Sequence, residues 1–489
     1  MSIEQHDTVY VDGTFMPALT EIRMPVVDPA TGNVIAQVPA CGVEDVDRAV
    51  AAARSAFDRG PWPTMSPAAR ADTLTRLADA LGARTTAIAE TVIREAGFAS
   101  RFAEPVHVTR AIDFVRYYAD LARKEPFEEV RPSALAQADV VVRRCPVGVV
   151  SVLVPWNIPL LGALSKIAPA LAAGCTVIYK PSPETPQIAY RLAEAVHEAG
   201  FPPGVVNILP ADLEGSQRMS THPDVDMVAF TGSTDVGRKI ALACATDFRR
   251  YSLELGGNAA AIILEDAPVE SVAAGLTMTG LALNNGEACI AQRRILAPRS
   301  RYDEIVSVLA AAANSLQVGD PTHPDTVIGP MITEAHRDRV LDYIHGAIDE
   351  GAVIAAGGGI PDDCHDGYYL QPTVLAQMTN DMRAVREEIF GPVVCVIPYD
   401  TVEEAISIAR DTEYGLSSSV WTNDLNRAEE IARQLRVGSV YVNGKQTLDP
   451  SIPFGGFGHS GVGRELGPEG LAEYSETQAV FMPSPYRNI

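Results

Sequence analysis

The chain of 489 residues is longer than one ordinary domain, and its 62 acidic and 39 basic residues give a formal net charge of −23. Hydrophobic residues make up 47% and charged residues 21%, which is typical of a globular protein and excludes a disordered one. A surface this negative repels nucleic-acid backbones and anionic lipid, so neither is expected as a partner. We expect two or three domains and a small-molecule ligand.

The 7 cysteines include no CxxC pair, which argues against a disulfide framework and against a structural zinc site, so no metal is expected. The first residues, MSIEQHDTVYVDG, lack a basic stretch followed by an apolar one. No secretory signal is therefore predicted, and the expected location is cytoplasmic. The mostly apolar run 147–179 is interrupted by Asn157, Lys166 and several prolines, so no membrane span is expected there.

The pattern of elements changes after about 120 residues. Before that point we predict helices with short extended pieces, including a helix capped by Ser66 and started by Pro67. Apolar runs then alternate with helices, which predicts right-handed βαβ units and a parallel sheet. The predicted strands are 149–154, 176–179, 205–209 and 227–230, and the predicted helices are 159–173 and 186–200.

A second α/β section is predicted from about residue 258 onward. It contains a strand at 259–264 and helices at 301–316 and 333–350. Two further segments, 125–144 and 473–489, fit neither section. We expect these two segments to form a small sheet or an assembly arm.

A glycine-bearing turn at 230–237 is the first candidate for ligand binding. It has the sequence FTGSTDVG, which predicts a strand end, a tight turn and a helix start, and no GxGxxG turn is present in the first section. Free N–H groups at the helix start, with the hydroxyl of Ser233, can hold a phosphate. A simple serine-capped helix explains the same residues, so both interpretations stay open. The triple glycine at 357–359 precedes no helical pattern and predicts a surface turn.

Three residues are candidates for catalysis. Cys289 follows the polar, glycine-bearing stretch 284–288, where a thiol can meet a substrate. Glu254 stands between leucines before a double glycine, and an apolar setting raises a carboxyl pKa toward that of a general base, although a strand-end glutamate fits equally well. The amide of Asn157, between two prolines, is suited to donate to an oxyanion, although prolines flank many turns. Cysteine is commonly buried, so we interpret the other cysteines as structural: Cys41, Cys145, Cys175, Cys244, Cys364 and Cys395.

The order of the motifs is more specific than any one of them. They are, in succession between residues 154 and 467, VPWNIP, YKPSPETP, FTGSTDVG, LELGGN, NNGEAC, EEIFGP and PFGGFGHSGVGRELG. With this order the chain resembles the NAD(P)-dependent aldehyde dehydrogenase superfamily, of the non-acylating, hydrolytic type, over essentially its whole length.

The resemblance implies an α/β fold with two parallel-sheet domains, a Rossmann-like cofactor domain and a catalytic domain, plus a small β arm for oligomerisation. It assigns residues 1–124 and 146–254 to the NAD(P)-binding domain and 255–460 to the catalytic domain. It assigns residues 125–145 and 461–489 to the oligomerisation arm and C-terminal tail. A homodimer or homotetramer is therefore expected.

The resemblance also implies the chemistry. Cys289 is expected to attack an aldehyde carbon, while the Asn157 amide and the backbone N–H of Cys289 hold the oxyanion of the thiohemiacetal. Hydride transfer to the nicotinamide then leaves a thioester, which Glu254 hydrolyses by activating water, releasing the carboxylic acid. Glu465 matches a second glutamate that relays protons with Lys166.

Cofactor contacts are implied in the same way. Lys180, with Ser182 nearby, matches the contact with the adenosine ribose, and Gly232 and Ser233 match the pyrophosphate contact. The residues expected at the nicotinamide end are Trp156, Leu255, Glu388 and Phe390.

The chain departs from the family pattern beside Lys180. Many NAD-preferring members have a glutamate three positions after the lysine, where this chain has Pro183, with Glu184 one place late. Without a carboxylate there, a 2′-phosphate meets less repulsion, and Lys180 with Ser182 can bind it. We therefore predict NAD as the cofactor with NADP tolerated. Glu287 stands where a glutamine is common, and its charge is expected to raise the thiol pKa unless its carboxylate points away.

The substrate pocket is expected to be apolar and to include part of the loop 446–454. No arginine occurs in that loop, which disfavours a semialdehyde with a distal carboxylate, so a medium-chain, terpenoid or aromatic aldehyde is predicted. The predicted pocket residues are Ile158, Leu161, Gly162, Ala288, Ile290, Leu448 and Phe454.

Two alternatives remain. A CoA-acylating aldehyde dehydrogenase commonly lacks the base at position 254, whereas this chain has Glu254. A catalytically silent cofactor-binding protein on the same scaffold is expected to lack the thiol, the base or the amide, and all three are present here.

Overall fold

The computed structural model describes residues 3–364, 366–444 and 446–483. Over these residues the chain forms two large sheets, each with helices packed on both faces, and three small sheets. The two-sheet α/β architecture predicted from the sequence is thereby confirmed. None of the described helices is long and apolar enough to cross a membrane.

The first large sheet has eight strands, and its five central strands are parallel. Val149–Leu153 and Thr176–Lys180 are buried at every position, because helices cover both faces of a parallel sheet and favour continuous apolar strands. The strands, in order across the sheet, are Gly461–Val462, Arg250–Glu254, Met227–Thr231, Val149–Leu153, Thr176–Lys180, Val206–Ile208, Thr8–Val11 and Thr14–Pro17.

The second large sheet has seven strands, all parallel except one antiparallel edge strand. In order they are Val353–Ala356, Thr373–Ala376, Val393–Tyr399, Gln292–Pro298, Ala259–Ile263, Ser417–Trp421 and Ser439–Val442. The predicted strands of both sections are confirmed to within two residues at each end.

The two segments that fitted neither section pair with one another, as predicted. Ala138–Pro146 lies between Glu128–Ser133 and Ser475–Pro483 in an antiparallel sheet. Residues 484–489 of the predicted tail lie outside the described part of the chain. The domain boundaries stay a prediction, and Gly461–Val462, which we assigned to the arm, pairs with Arg250–Glu254 of the first large sheet.

The remaining strands form two further small sheets. One contains Glu4–Gln5, Asn33–Pro39 and Arg23–Asp28, and the other contains Tyr414–Gly415 and Phe457–Gly458.

Local capping signals explain several helix ends. The Ser66 hydroxyl accepts a hydrogen bond from the Ala69 N–H, and Pro67 is the first helical residue, as predicted. Pro159–Ala173 also starts with a proline and ends before Gly174, whose φ of 104° suits glycine. The α-helices are Val43–Arg59, Pro67–Gly82, Thr85–Ala96, Ser100–Phe102, Arg110–Lys124, Pro159–Ala173, Gln187–Ala199, Leu213–Thr221, Thr234–Ala245, Val269–Thr277, Tyr302–Asn314, Glu334–Asp349, Arg383–Arg386, Val402–Arg410, Leu425–Ala432 and Gly467–Glu473. Shorter turns are π-helical at Ala103–Thr109 and Met278–Ala282 and 3₁₀ at Trp62–Thr64, Leu283–Gly286 and Arg299–Arg301.

The carboxyl ends of the central strands bring distant segments to one edge of the first sheet. Leu153 is paired with Lys180, and Thr231 with Glu254. Ligands of open α/β sheets bind at this kind of edge.

Candidate active site

Two cavities meet at Cys289. A groove of about 460 Å³ lies at the carboxyl edge of the first sheet, and a second cavity of about 270 Å³ has a mostly apolar lining. Asn157, Ile158, Thr231 and Cys289 line both cavities. The half-buried Cys289 therefore lies at their junction, where a molecule in either cavity can reach the thiol.

The second cavity contains all the predicted pocket residues and most of the predicted catalytic residues. Lys166 is not on its wall but contacts Glu465, which is. The predicted residues that line the cavity are Asn157, Ile158, Leu161, Gly162, Glu254, Ala288, Cys289, Ile290, Leu448, Phe454 and Glu465.

Asn157 is joined to the cysteine loop by two reciprocal hydrogen bonds. Its side-chain Nδ2 donates to the Glu287 carbonyl at 2.9 Å, and Asn284 Nδ2 donates to the Asn157 carbonyl at 2.8 Å. All three residues are buried. An amide nitrogen carries two N–H groups, so Asn157 keeps a second donor after binding the loop.

Glu254 is 3% exposed, and neither of its carboxyl oxygens has a hydrogen-bond partner among the described residues. Burial raises its pKa well above the usual range, and the nearby Glu465 carboxylate raises it further, whereas Lys166 opposes the shift. Lys166 Nζ forms an ion pair with Glu465 and donates to Thr231 Oγ1 at 2.6 Å. A carboxyl group with a raised pKa is suited to accept a proton near neutral pH.

The thiol of Cys289 is neutral near pH 7. Burial raises its pKa to about 12, and the carboxylates of Glu388 and Glu254 raise it as well. The carboxylate of Glu287 points away, because its Oε1 accepts a hydrogen bond from the Ile332 N–H at 3.1 Å. From the sequence we expected Glu287 to raise the thiol pKa unless its carboxylate points away from the thiol, and the carboxylate does point away.

The groove has an aromatic wall near Cys289. The rings of Trp156 and Phe390 meet edge to face with centroids 5.6 Å apart, and the His336 ring contacts both. Glu388 accepts from the Gly257 N–H at 2.9 Å, and a Cβ on Gly256 would lie 2.2 Å from its other oxygen. Glycine at position 256 therefore allows the Glu388 carboxylate to approach the backbone.

On another part of the groove wall, the helix Thr234–Ala245 begins with Ser233 as its cap. Ser233 Oγ accepts from the Val236 N–H at 3.4 Å, and Gly232 and Ser233 both line the groove. The two interpretations of this turn are compatible, because the cap leaves other N–H groups of the first turn without helical partners. Trp156, Leu255, Glu388 and Phe390 line the same groove.

Two predicted cofactor residues do not line that groove. Lys180 is the last residue of the strand Thr176–Lys180, and Ser182 follows two residues later. Both side chains are buried. Ser182 Oγ donates to the Glu184 carboxylate, and burial lowers the Lys180 pKa to about 8 while Glu184 opposes that shift. Position 183 has no carboxylate, as the sequence states, but the Glu184 side chain turns back onto Ser182 and places a carboxylate near Lys180 all the same.

The site also contains residues that the sequence did not reveal. Arg110 lines the apolar cavity, and its Nη1 donates to Thr447 Oγ1 at 2.8 Å. His107 contacts Asn284, and His336 contacts the Phe390 carbonyl at 2.7 Å. No local pattern marked Arg110 or His107, because each reaches the site from a helical segment more than 150 residues away from its partner.

Comparisons with known proteins identify the family of the chain. A family model described as "Aldehyde dehydrogenase family" matches residues 15–480. The chain belongs to this family. The aldehyde dehydrogenase chain is 44% identical over 477 residues to a geranial dehydrogenase from Castellaniella defragrans, covering 98% of this chain and 99% of the relative.

Two solved aldehyde dehydrogenases have closely similar folds. The Mycobacterium tuberculosis enzyme complexed with NAD+ superposes with a TM-score of 0.96 at 42% identity, covering 99% of this chain and 100% of its own. Aldehyde dehydrogenase C from Pseudomonas syringae, a mutant complexed with NAD+ and octanal, gives 0.94 at 38% identity, covering 98% of both chains.

We predict that alkylation of Cys289 reports on the ionisation of Glu388. Because the thiol pKa is about 12, the rate with iodoacetamide should rise about tenfold per pH unit between about pH 7 and 10. Burial raises the pKa of Glu388 to about 7, so this group is charged at pH 9 and mainly neutral at pH 6. Glu388→Gln should therefore speed alkylation roughly threefold at pH 9, and not at pH 6.

Mass spectrometry of the peptide containing Cys289 measures this rate. Glu387→Gln is the matched control, since Glu387 bonds Tyr343 instead. An equal increase at both pH values would contradict the assigned charge effect.

Proposed function

We propose that this aldehyde dehydrogenase oxidises an aldehyde to the carboxylic acid through a cysteine thiohemiacetal and thioester, with NAD as the hydride acceptor. The observation that carries the proposal is the position of Cys289 at the junction of two cavities. The groove supplies room for a dinucleotide on one side of the thiol, and the apolar cavity supplies room for an aldehyde on the other.

In the first half of the reaction, the sulfur of Cys289 bonds to the aldehyde carbon. Its thiol is protonated at rest, so the attack requires a proton acceptor, and Glu254 on the same cavity wall is suited to this role. The second N–H of the Asn157 amide and the backbone N–H of Cys289 then donate to the oxyanion. A bound NAD would supply the hydride acceptor at this point, and Cys289 then holds the oxidised acyl group as a thioester.

In the second half, Glu254 takes a proton from the water that attacks the thioester. Glu254 can do so because it has first released the thiol proton to solvent. The carboxylic acid then leaves and the water proton returns to the sulfur, so one turnover consumes aldehyde, water and NAD and yields the acid, reduced NAD and one proton. The Glu465 carboxylate helps to raise the pKa of Glu254. The ion pair between Lys166 and Glu465 keeps a positive charge within this buried cluster. Because Glu254 acts only when deprotonated, hydrolysis should accelerate as pH rises through its raised pKa.

The groove suits a dinucleotide. The capped helix start at Gly232 and Ser233 is assigned to the pyrophosphate, because N–H groups at helix starts bind phosphates. Trp156, Phe390 and Glu388 are assigned to the nicotinamide end, which lies next to Cys289. Two structural relatives are NAD+ complexes, which supports NAD as the cofactor.

The lining of the second cavity favours an aldehyde with an apolar body, such as a medium-chain, terpenoid or aromatic aldehyde. The Castellaniella relative acts on geranial, and the Pseudomonas syringae structure contains octanal. The loop 446–454 contains no arginine, but Arg110 lines the wall from outside this loop, so the cavity as a whole does contain a basic side chain.

We also propose that the chain forms a homodimer or homotetramer through the arm. The support is the small sheet, in which Ser475–Pro483 and Glu128–Ser133 are the two edge strands. Val130 and Phe481 are exposed on these two strands, and exposed edges accept further strands.

Cys289→Ala should abolish aldehyde oxidation while leaving NAD affinity within about twofold of wild type, because only the sulfur that bonds to substrate is lost. NADH formation at 340 nm with octanal measures turnover, and quenching of tryptophan fluorescence measures NAD binding. Product analysis with and without coenzyme A distinguishes hydrolysis from acyl transfer. Formation of an acyl-CoA in place of the free acid would contradict the proposed role of Glu254.

We propose that NADP is tolerated but bound more weakly than NAD, with Glu184 as the limiting residue. Glu184→Gln removes the carboxylate beside Ser182 and Lys180, so the Kd for NADP should fall roughly tenfold, about 1.4 kcal/mol, while that for NAD does not improve. Isothermal titration measures both affinities. The exposed Glu198→Gln, whose partner is Arg84, is the control.

An unchanged NADP affinity in Glu184→Gln would contradict this role. A wild-type preference for NAD above about a thousandfold in kcat/KM, some 4 kcal/mol, would contradict tolerance of NADP altogether.

Wild-type enzyme should oxidise octanal or benzaldehyde more efficiently than succinate semialdehyde, because the cavity wall is mainly apolar. Arg110 is the one basic residue among the described residues of that wall. Its guanidinium should therefore favour a substrate whose far end carries a hydrogen-bond acceptor such as a carboxylate. Arg110→Met should shift the kcat/KM ratio of octanal to 8-oxooctanoate about tenfold toward octanal.

Arg116→Met, an exposed position on the same helix, is the control and should leave this ratio unchanged. Better turnover of succinate semialdehyde than of octanal would contradict the apolar substrate class.

A further inference from the structure

His107 is a buried histidine that no motif of the chain includes. It lies on the π-helical turn Ala103–Thr109, is 0% exposed, and its ring stacks on Phe98 with centroids 4.5 Å apart. Its Nε2 is 3.0 Å from Oδ1 of Asn284, the first residue of the NNGEAC loop. π-helical turns within helices are frequent at functional sites.

The contact has a defined direction. Burial lowers the pKa of His107 to about 4, so the ring is neutral near pH 7 and carries a single N–H. Nδ1 has no hydrogen-bond partner among the described residues, and Nε2 faces a carbonyl oxygen. The N–H therefore lies on Nε2 and donates to Asn284.

This donor fixes which way the Asn284 amide is turned. With Oδ1 bound to His107, the Asn284 Nδ2 donates to the Asn157 carbonyl at 2.8 Å. With the proton on Nε2, a flipped amide would place N–H against N–H at His107 and oxygen against oxygen at Asn157. A shift of the proton to Nδ1 would restore only the first of these bonds, so the bond to Asn157 would still be lost.

The same amide stabilises the loop that carries the thiol. Asn284 and Asn285 have φ values of 50° and 56°, and such backbone persists only where its surroundings hold it. Asn157 in turn binds the loop through Glu287, two residues before Cys289. His107, Asn284 and Asn157 thus form one continuous chain of hydrogen bonds that ends at the thiol loop.

We propose that His107 is a positioning residue for aldehyde oxidation: by orienting the Asn284 amide, it sets the separation between the Asn157 donor and the Cys289 sulfur. The inference rests on the proposed function. Oxyanion donors act over a narrow range of distance, so a small displacement should slow the acylation step while cofactor binding is retained.

The experiment compares His107→Phe, which keeps a flat ring against Phe98 without a donor, with His107→Gln, which keeps an N–H donor. The readouts are kcat and KM for octanal, the NADH burst of a single turnover, NAD affinity and the thermal midpoint. Val92→Ala is the control, since it removes buried apolar volume from a core helix that does not line either cavity.

His107→Phe should lower kcat and the burst rate at least about tenfold, equivalent to about 1.4 kcal/mol, with KM and NAD affinity within about twofold. His107→Gln should recover most of that loss. In an Asn284→Asp background, which already lacks the donor to Asn157, His107→Phe should cost less than about twofold more.

Val92→Ala is expected to lose activity only in proportion to the fall in its thermal midpoint. The inference is overturned if His107→Phe behaves in the same way. It is also overturned if His107→Gln is as slow as His107→Phe. An inactive wild-type enzyme against all aldehydes would instead contradict the proposed function, and the two failures are therefore distinguishable.

Discussion

The hydrogen bonds between Asn157 and the 284–289 loop are the contacts on which the site depends. They join the carboxyl edge of the first sheet to the loop that precedes a strand of the second sheet. Each bond uses a side-chain amide on one segment and a backbone carbonyl on the other. Neither segment can shift without breaking a buried hydrogen bond, so the thiol stays at the junction of the two cavities.

The charges around this junction are retained at a cost in stability. Glu254 is buried with both oxygens unbonded in the described part of the chain, and Glu287 has one unbonded oxygen. Burial raises the pKa of both groups, and the buried Lys166 is the only cation that forms an ion pair with Glu465 among the described residues. Such departures from full hydrogen bonding are expected where a group must exchange protons.

Much of the fold follows from short stretches of sequence. Pro159–Ala173 begins and ends where its proline and glycine predict, and the strands Val149–Leu153 and Met227–Thr231 follow continuous apolar runs. The pairing of the two leftover segments was also predicted, since neither fitted a layer of the large sheets. These features depend on periodicity and capping, which act over a few residues and can be recognised locally.

The residue types and their order along the chain were enough to identify the thiol, the amide and the carboxylate as candidates. The direction of each side chain, however, depends on neighbours distant in the sequence. Glu184 turned toward Ser182 and Glu287 turned away from the thiol, which no spacing predicted. His107 and Arg110 reach their partners across 177 and 337 residues, because packing of helices against the sheet places them there.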